Sequence, residues 1–299
     1  VVFLVVKPAW LSAMPVFLVQ QRTQFNPSPM GYLTKTGWLF LLLFLLAACR
    51  EKPLFERVDA VSSGISFANT ITESDSLNVM NFEYIYNGGG VGIGDFNNDG
   101  RQDVYFSGNQ VSGRLFLNQT TANGDLRFED VTQAAGLQTR AWCTGVSPVD
   151  INADGLLDLF ICTINPKRGQ LAAKLLYLNL GVGPDGVPRF REVAAAVGLA
   201  DPGYGTQAAF FDYDRDGDLD MYLLTNALES FNRNLPVGPV SDGSAKSTDR
   251  LYRNDGLVQR TNQAGPALPH FTDVSKAEGI TLNGWGLGIA IADINDDGW

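Results

Sequence analysis

Three nine-residue stretches of this chain follow the pattern Asp-x-(Asn/Asp)-x-Asp-Gly-x-x-Asp: 95–103 (DFNNDGRQD), 150–158 (DINADGLLD) and 212–220 (DYDRDGDLD). A fourth, 293–299 (DINDDGW), begins where the sequence ends. Carboxylates crowded this closely repel one another unless a cation lies between them. Oxygen-bearing side chains at positions 1, 3, 5 and 9, with glycine at 6 for a sharp turn, suit a hard cation. Calcium, which takes about six to eight oxygens, is the expected one. The predicted side-chain ligands are Asp95, Asn97, Asp99 and Asp103 in the first loop and Asp150, Asn152, Asp154 and Asp158 in the second. The third loop offers Asp212, Asp214, Asp216 and Asp220, and the incomplete one Asp293, Asn295 and Asp297. The backbone carbonyl at position 7 (Arg101, Leu156, Asp218 or Trp299) is a further expected ligand. A helix-flanked calcium loop needs a bidentate Glu at position 12. Here that position holds Phe106, Ile161 and Leu223, which excludes that class.

The flanks predict strands. Short runs of small and apolar residues precede the loops (91–94, 145–149, 208–211, 288–292), and runs such as 104–106, 159–161 and 221–224 follow them. Short apolar runs bounded by Gly and Asp read as strands, so each loop should join two of them. Other elements recur in phase. Phe-x-x-Val-x4-Gly-(Leu/Ile) occurs at 128–137, 190–199 and 271–280, with a looser copy at 55–65. From each regular Phe to the next loop Asp is the same 22 residues, as in 128 to 150. Leu-(Phe/Tyr)-x-Asn occurs at 115–118, 176–179 and 251–254. All variation in period falls between a loop and the next Phe, and the largest insertion, 227–250, reads as a surface loop.

A unit of this length with several short strands fits one four-stranded propeller blade. Gly92, Gly94, Ala208, Ala209, Gly288 and Ala290 suit an innermost strand, where backbones crowd together. The Phe, Val and Leu of the recurrent element should pack between blades. The predicted fold is all-β: a partial β-propeller over 55–299, with three full units and the start of a fourth. Propellers close with about four to eight blades, so the chain reads as the N-terminal fragment of a longer protein.

These loops, together with the Phe-x-(Asp/Glu)-Val-Thr-type element, resemble the FG-GAP/VCBS repeats of integrin-α-type β-propellers. The similarity is closest to bacterial surface lipoproteins of the cartilage-acidic-protein-like, ASPIC/UnbV-associated group; residues 86–109 (YNGGGVGIGDFNNDGRQDVYFSGN) carry it most clearly. The resemblance covers roughly residues 55–299 and implies calcium-binding blades in an extracytoplasmic setting. No ASPIC/UnbV segment is visible in this sequence, and the family has no single biochemical activity to carry over.

The apolar run 38–46, preceded by Lys35 and followed by Ala47-Ala48-Cys49, has the layout of a secretory signal and is too short to span a bilayer. Its end resembles the bacterial lipobox, which implies lipidation of Cys49. The expected organisation is a doubtful upstream extension at 1–29, a lipoprotein signal peptide at 30–48, a lipidated tether at 49–54 and the blades thereafter. The implied location is the bacterial cell envelope, lipid-anchored at the outer membrane or cell surface. Two cysteines remain, Cys143 and Cys162, flanking the second loop. If Val149 pairs with Leu159, Cys162 lies opposite Val146, three residues from Cys143, so two buried free thiols are expected.

A net charge of −10 argues against nucleic-acid binding through an electrostatic footprint. The single histidine, His270, stands at a repeat position held elsewhere by Arg127 and Arg189 and reads as a surface strand residue. Gly203-x-Gly205-x-x-Ala208 superficially matches a dinucleotide fingerprint but runs into an acidic loop instead of a helix. No catalytic residues are assigned. The expected function is a calcium-binding, lipid-anchored scaffold for a protein or glycan partner. The alternative is the front part of a secreted polysaccharide-active enzyme, a lyase or hydrolase.

Overall fold

The apolar runs on either side of each complete loop pair as antiparallel strands. The computed structural model describes residue 55 and residues 57–121, 124–167, 170–227, 238–258 and 266–295. Ala60–Trp299 forms one compact unit; of Val1–Asp59, the described residues 55 and 57–59 carry no regular secondary structure. The expected signal and tether with Cys49, part of the long insertion, Asp297 and Trp299 lie outside the described residues.

Three four-stranded sheets follow one another. The first is β1 (Val91–Gly94), β2 (Asp103–Phe106), β3 (Arg114–Asn118) and β4 (Phe128–Asp130). The second is β5 (Trp142–Val149), β6 (Asp158–Ile164), β7 (Leu175–Val182) and β8 (Pro188–Glu192). The third is β9 (Gly205–Phe211), β10 (Asp220–Thr225), β11 (Arg250–Val258) and β12 (Leu268–Asp273). Each sheet is an antiparallel meander in chain order, the strand arrangement expected of a blade, and the described residues close no ring.

The middle sheet explains why its strands look uniformly apolar. Side chains alternate between faces along a strand, and β6 is buried at every position. Leu159 and Ile161 enter a core with Tyr105, Leu115 and Leu117 of the first sheet. Phe160 and Cys162 enter a second core with Met221, Leu223 and Tyr252 of the third. Burying each large apolar side chain contributes about 1.5–3 kcal/mol, so neighbouring sheets stabilise one another. The innermost strands crowd as expected. A Cβ on Gly92 would lie 2.9 Å from Val146 Cγ1, and one on Gly145 would lie 2.4 Å from Thr206 O. Thr144 Oγ1 donates to Gly205 O (3.0 Å) and Ser147 Oγ to Ala208 O (2.6 Å), stitching β5 to β9.

Two expectations need correction. The run 288–292 forms no strand. In the three complete units the equivalent run pairs with the strand after the loop, and among the described residues 288–292 has no such strand beside it. The all-β fold also carries three single helical turns: α1 (Ala60–Ser63), α2 (Thr132–Ala135) and α3 (Ala194–Val197). α2 and α3 form where the Phe-x-x-Val element leaves its strand, α1 lies in the looser copy, and each is followed by a left-handed glycine: Gly64, Gly136 and Gly198. A Cβ on Gly198 would sit 2.6 Å from Phe271 O and one on Gly64 2.4 Å from Phe128 O, so each of these glycines seats one repeat on the Phe of the next. In the looser copy at 55–65, Phe55 itself is exposed.

Second, Val149 pairs with Asp158, one residue earlier than expected. Position 9 of the loop already belongs to the strand, because its carboxylate is tied inward. A bulge between Cys143 and Val146 then brings Cys143 opposite Thr163. The two cysteines are free and buried, as expected. They stay apart because they face different cores, Cys143 the first and Cys162 the second. Burial pushes each thiol up to about 12.

A buried lysine was not anticipated. Lys174 Nζ donates to Gly203 O (2.6 Å) and Thr163 O (3.0 Å), with Asp201 Oδ1 at 4.0 Å. It serves strand-end carbonyls between the second and third sheets, and burial lowers its pKa. Among the described residues no helix is long and apolar enough to cross a membrane.

Candidate metal centre

Each complete loop begins one residue beyond the first strand of its sheet and ends at the second. The three share one backbone course. Position 4 is left-handed at Asn98, Ala153 and Arg215 (φ 55, 54 and 67°), and position 6 at Gly100, Gly155 and Gly217. A non-glycine residue in that region costs roughly 1–2 kcal/mol. Its recurrence at the same position in three loops marks a shape that the turn requires.

The acidic side chains fold the loop onto itself. Asp95 accepts the N–H groups of Asp99 (3.0 Å) and Gly100 (2.7 Å); Asp150 accepts those of Asp154 (3.0 Å) and Gly155 (2.8 Å). Asp212 accepts those of Asp216 (3.2 Å) and Gly217 (3.1 Å). At position 5, Asp99, Asp154 and Asp216 each accept the N–H of position 7, from Arg101, Leu156 and Asp218. Position 3 turns inward: Asn97 and Asn152 donate their amide N–H to the position-5 carboxylate at 2.9 Å in both loops. Their carbonyl oxygens, Asn97 Oδ1 and Asn152 Oδ1, are buried and accept no hydrogen bond. A buried acceptor left this way costs free energy unless something positive faces it. In the third loop ligand oxygens of Asp212, Asp214 and Asp216 lie within 4.8 Å of one another. The donor set, all oxygen, and the two inward-facing orphan oxygens fit a hard cation.

Position 9 has a second task that the spacing did not disclose. Asp103, Asp158 and Asp220 are fully buried. One oxygen of each accepts the N–H of position 2: Phe96 (2.9 Å), Ile151 (3.1 Å) and Tyr213 (2.9 Å). The other accepts the N–H of the asparagine in the recurrent Leu-(Phe/Tyr)-x-Asn element: Asn118 (2.7 Å), Asn179 (2.7 Å) and Asn254 (2.8 Å). Those asparagines in turn donate Nδ2 to the position-8 carbonyls of Gln102, Leu157 and Leu219. The phase of this asparagine was visible in the sequence; its role as a brace was not. A carboxylate oxygen has more than one lone pair, so the brace leaves room for a cation at position 9.

Burial pushes Asp103 up to about 6 and Asp158 up to about 7, against the lowering effect of the two N–H donors. Asp220 is raised by the same cause. Asp218 rises to about 6, through burial first and then the neighbouring carboxylates. Asp293 and Asn295 of the incomplete loop are exposed. Arg101 adds an ion pair at 2.5 Å to the Asp99 carboxylate. His270 is exposed on β12, and Gly205 opens a strand rather than a helix.

Comparison with known proteins agrees with this geometry. The FG-GAP-like repeat family matches residues 84–161, which contain the first two loops. Cartilage acidic protein 1 of Xenopus tropicalis is 32% identical over 137 residues, covering 46% of this chain and 20% of that protein. The proteins of the same name from Mus musculus and Homo sapiens are 31% and 29% identical over 136 residues, with the same coverage. The match thus spans about a fifth of the length of these relatives. Residues 84–161 thus match the FG-GAP-like repeat family, and part of the chain is similar to cartilage acidic protein 1.

Proposed function

We propose that this chain is a non-enzymatic binding scaffold whose blades are rigidified by calcium in the three complete loops. The observation that carries the reading is the pair of buried, partnerless oxygens, Asn97 Oδ1 and Asn152 Oδ1, each on an amide that is hydrogen-bonded to the position-5 carboxylate of its own loop. The bound cation would neutralise carboxylates that otherwise repel. Loop residues at positions 1, 3, 5 and 9, with the position-7 carbonyl, would hold it. A lipid on Cys49 would tether the scaffold to the bacterial envelope, leaving the blades free to engage a protein or glycan.

Calorimetric titration of chelator-treated protein tests the cation. Open extracellular-type sites bind at about 10⁻⁴–10⁻³ M, so at roughly millimolar calcium each site should stabilise by about 0.4–1.4 kcal/mol. Asp154→Ala should remove one binding equivalent and leave the rest. Absence of both calcium-dependent heat and a calcium-dependent melting shift refutes the reading. For the anchor, Cys49→Ser should abolish labelling by a palmitate analogue in bacterial cells; equal labelling of both forms rules out lipidation there.

A further inference from the structure

The first and second loops are wired together, and the second and third are not wired in the same way. Asn98, at position 4 of the first loop, donates Nδ2 to Gly155 O of the second at 3.0 Å. That carbonyl belongs to the peptide between positions 6 and 7, whose N–H, on Leu156, is held by the position-5 carboxylate of Asp154 at 2.9 Å. A second link runs through Asn179. Its backbone N–H holds Asp158 of the second loop (2.7 Å), and its Nδ2 bridges Leu157 O of that loop (3.1 Å) and Phe96 O of the first (2.9 Å). The Phe96 N–H is in turn held by Asp103 at position 9 of the first loop. One link is thus direct, from Asn98 to the Gly155–Leu156 peptide, and the other runs through Asn179, which joins position 2 of the first loop to positions 8 and 9 of the second. Toward the third loop the equivalents differ. Ala153 stands where Asn98 stands and has no donor, and Asn254 Nδ2 reaches Leu219 O of its own loop.

From this wiring we infer that the first two loops form one coupled unit, in which ordering either by calcium raises the other's affinity, while the third binds on its own. The inference rests on the cation reading above. Two sites sharing hydrogen-bonded peptide planes are ordered together, so part of the ordering cost is met by whichever cation binds first. Neither of these two links is repeated between the second and third loops: Ala153 has no side-chain donor to match Asn98, and Asn254 Nδ2 bonds Leu219 O of the third loop.

The position-6 glycine amides, Gly100, Gly155 and Gly217, report the loops separately in a nuclear magnetic resonance titration with calcium alone. Asp95→Ala disables the first loop. The Gly155 midpoint should then rise by about fivefold or more, with the Gly217 midpoint unmoved. Asn98→Gly tolerates the left-handed backbone and removes only the amide, and it should weaken the Gly155 response without moving Gly217. In chelator, Asp95→Ala should also speed hydrogen exchange at Gly155 and Leu156 but not at Gly217 and Asp218, which reads the coupling without a cation. A Gly155 midpoint that stays put while Gly100 stops responding overturns the coupling, as does an equal shift at Gly155 and Gly217. If none of the three amides responds to calcium in the unmodified protein, the cation reading itself falls.

Discussion

Asp158→Ala is expected to destabilise the protein by about 2–6 kcal/mol even in chelator. Two buried donors, the N–H groups of Ile151 and Asn179, would lose their acceptor. Each such orphan costs about 1–3 kcal/mol. The loss propagates because Asn179 also holds Phe96 O, so the seam between the first and second sheets loosens with the loop. Asp158→Asn should be nearly as damaging, since it aims an amide N–H at one of the two donors. Asp154→Ala makes the contrast. That residue is exposed, and its loss in chelator should cost about 1 kcal/mol or less. Urea denaturation of the three variants measures the difference. Equal losses for Asp158→Ala and Asp154→Ala would mean that position 9 is an ordinary loop carboxylate.

Without calcium the protein should lose stability as pH rises from 4 to 8, and calcium should flatten or reverse that slope. Burial raises Asp103 to about 6 and Asp158 to about 7 in the folded state, whereas a free aspartate titrates at about 3.9. Because the folded pKa is raised, the stabilising contribution is complete below about pH 4. It is lost as pH climbs through about 6 to 7 and the buried groups ionise. The slope can reach about 1.4 kcal/mol per pH unit for each group that titrates. A cation stabilises the ionised form, so calcium should be felt most at pH 8 and its uptake near pH 6 should release protons. Melting curves in chelator and in calcium at pH 5, 6.5 and 8 decide the matter. A chelator curve that rises with pH across this window contradicts the assignment.

Both expectations depend on contacts that only the fold supplies. The sequence alone determined the repeat, the strand runs around each loop and the oxygen ligand pattern. Those features are local: a glycine at position 6 and carboxylates spaced within one turn mean the same thing wherever the turn is placed. The fixed 22-residue interval from Phe to loop was legible for a related reason. After the first and second sheets it is the short path from the fourth strand, through a helical turn, to the first strand of the next sheet. The sequence also showed that an asparagine recurs after Leu-(Phe/Tyr)-x, but its purpose depends on the third strand lying beside position 9. That adjacency is set by sheet packing. The one-residue register shift at Val149 and the bulge that follows arise from an inward-facing Asp158, which hydrophobic pattern cannot register. Lys174 was silent because the carbonyls it serves include one from a segment some thirty residues away. The bridge from Asn98 to Gly155 crosses 57 residues of chain and two sheets. Such pairings follow from the angle at which neighbouring sheets stack, and that angle is fixed by the whole core rather than by any one stretch of residues.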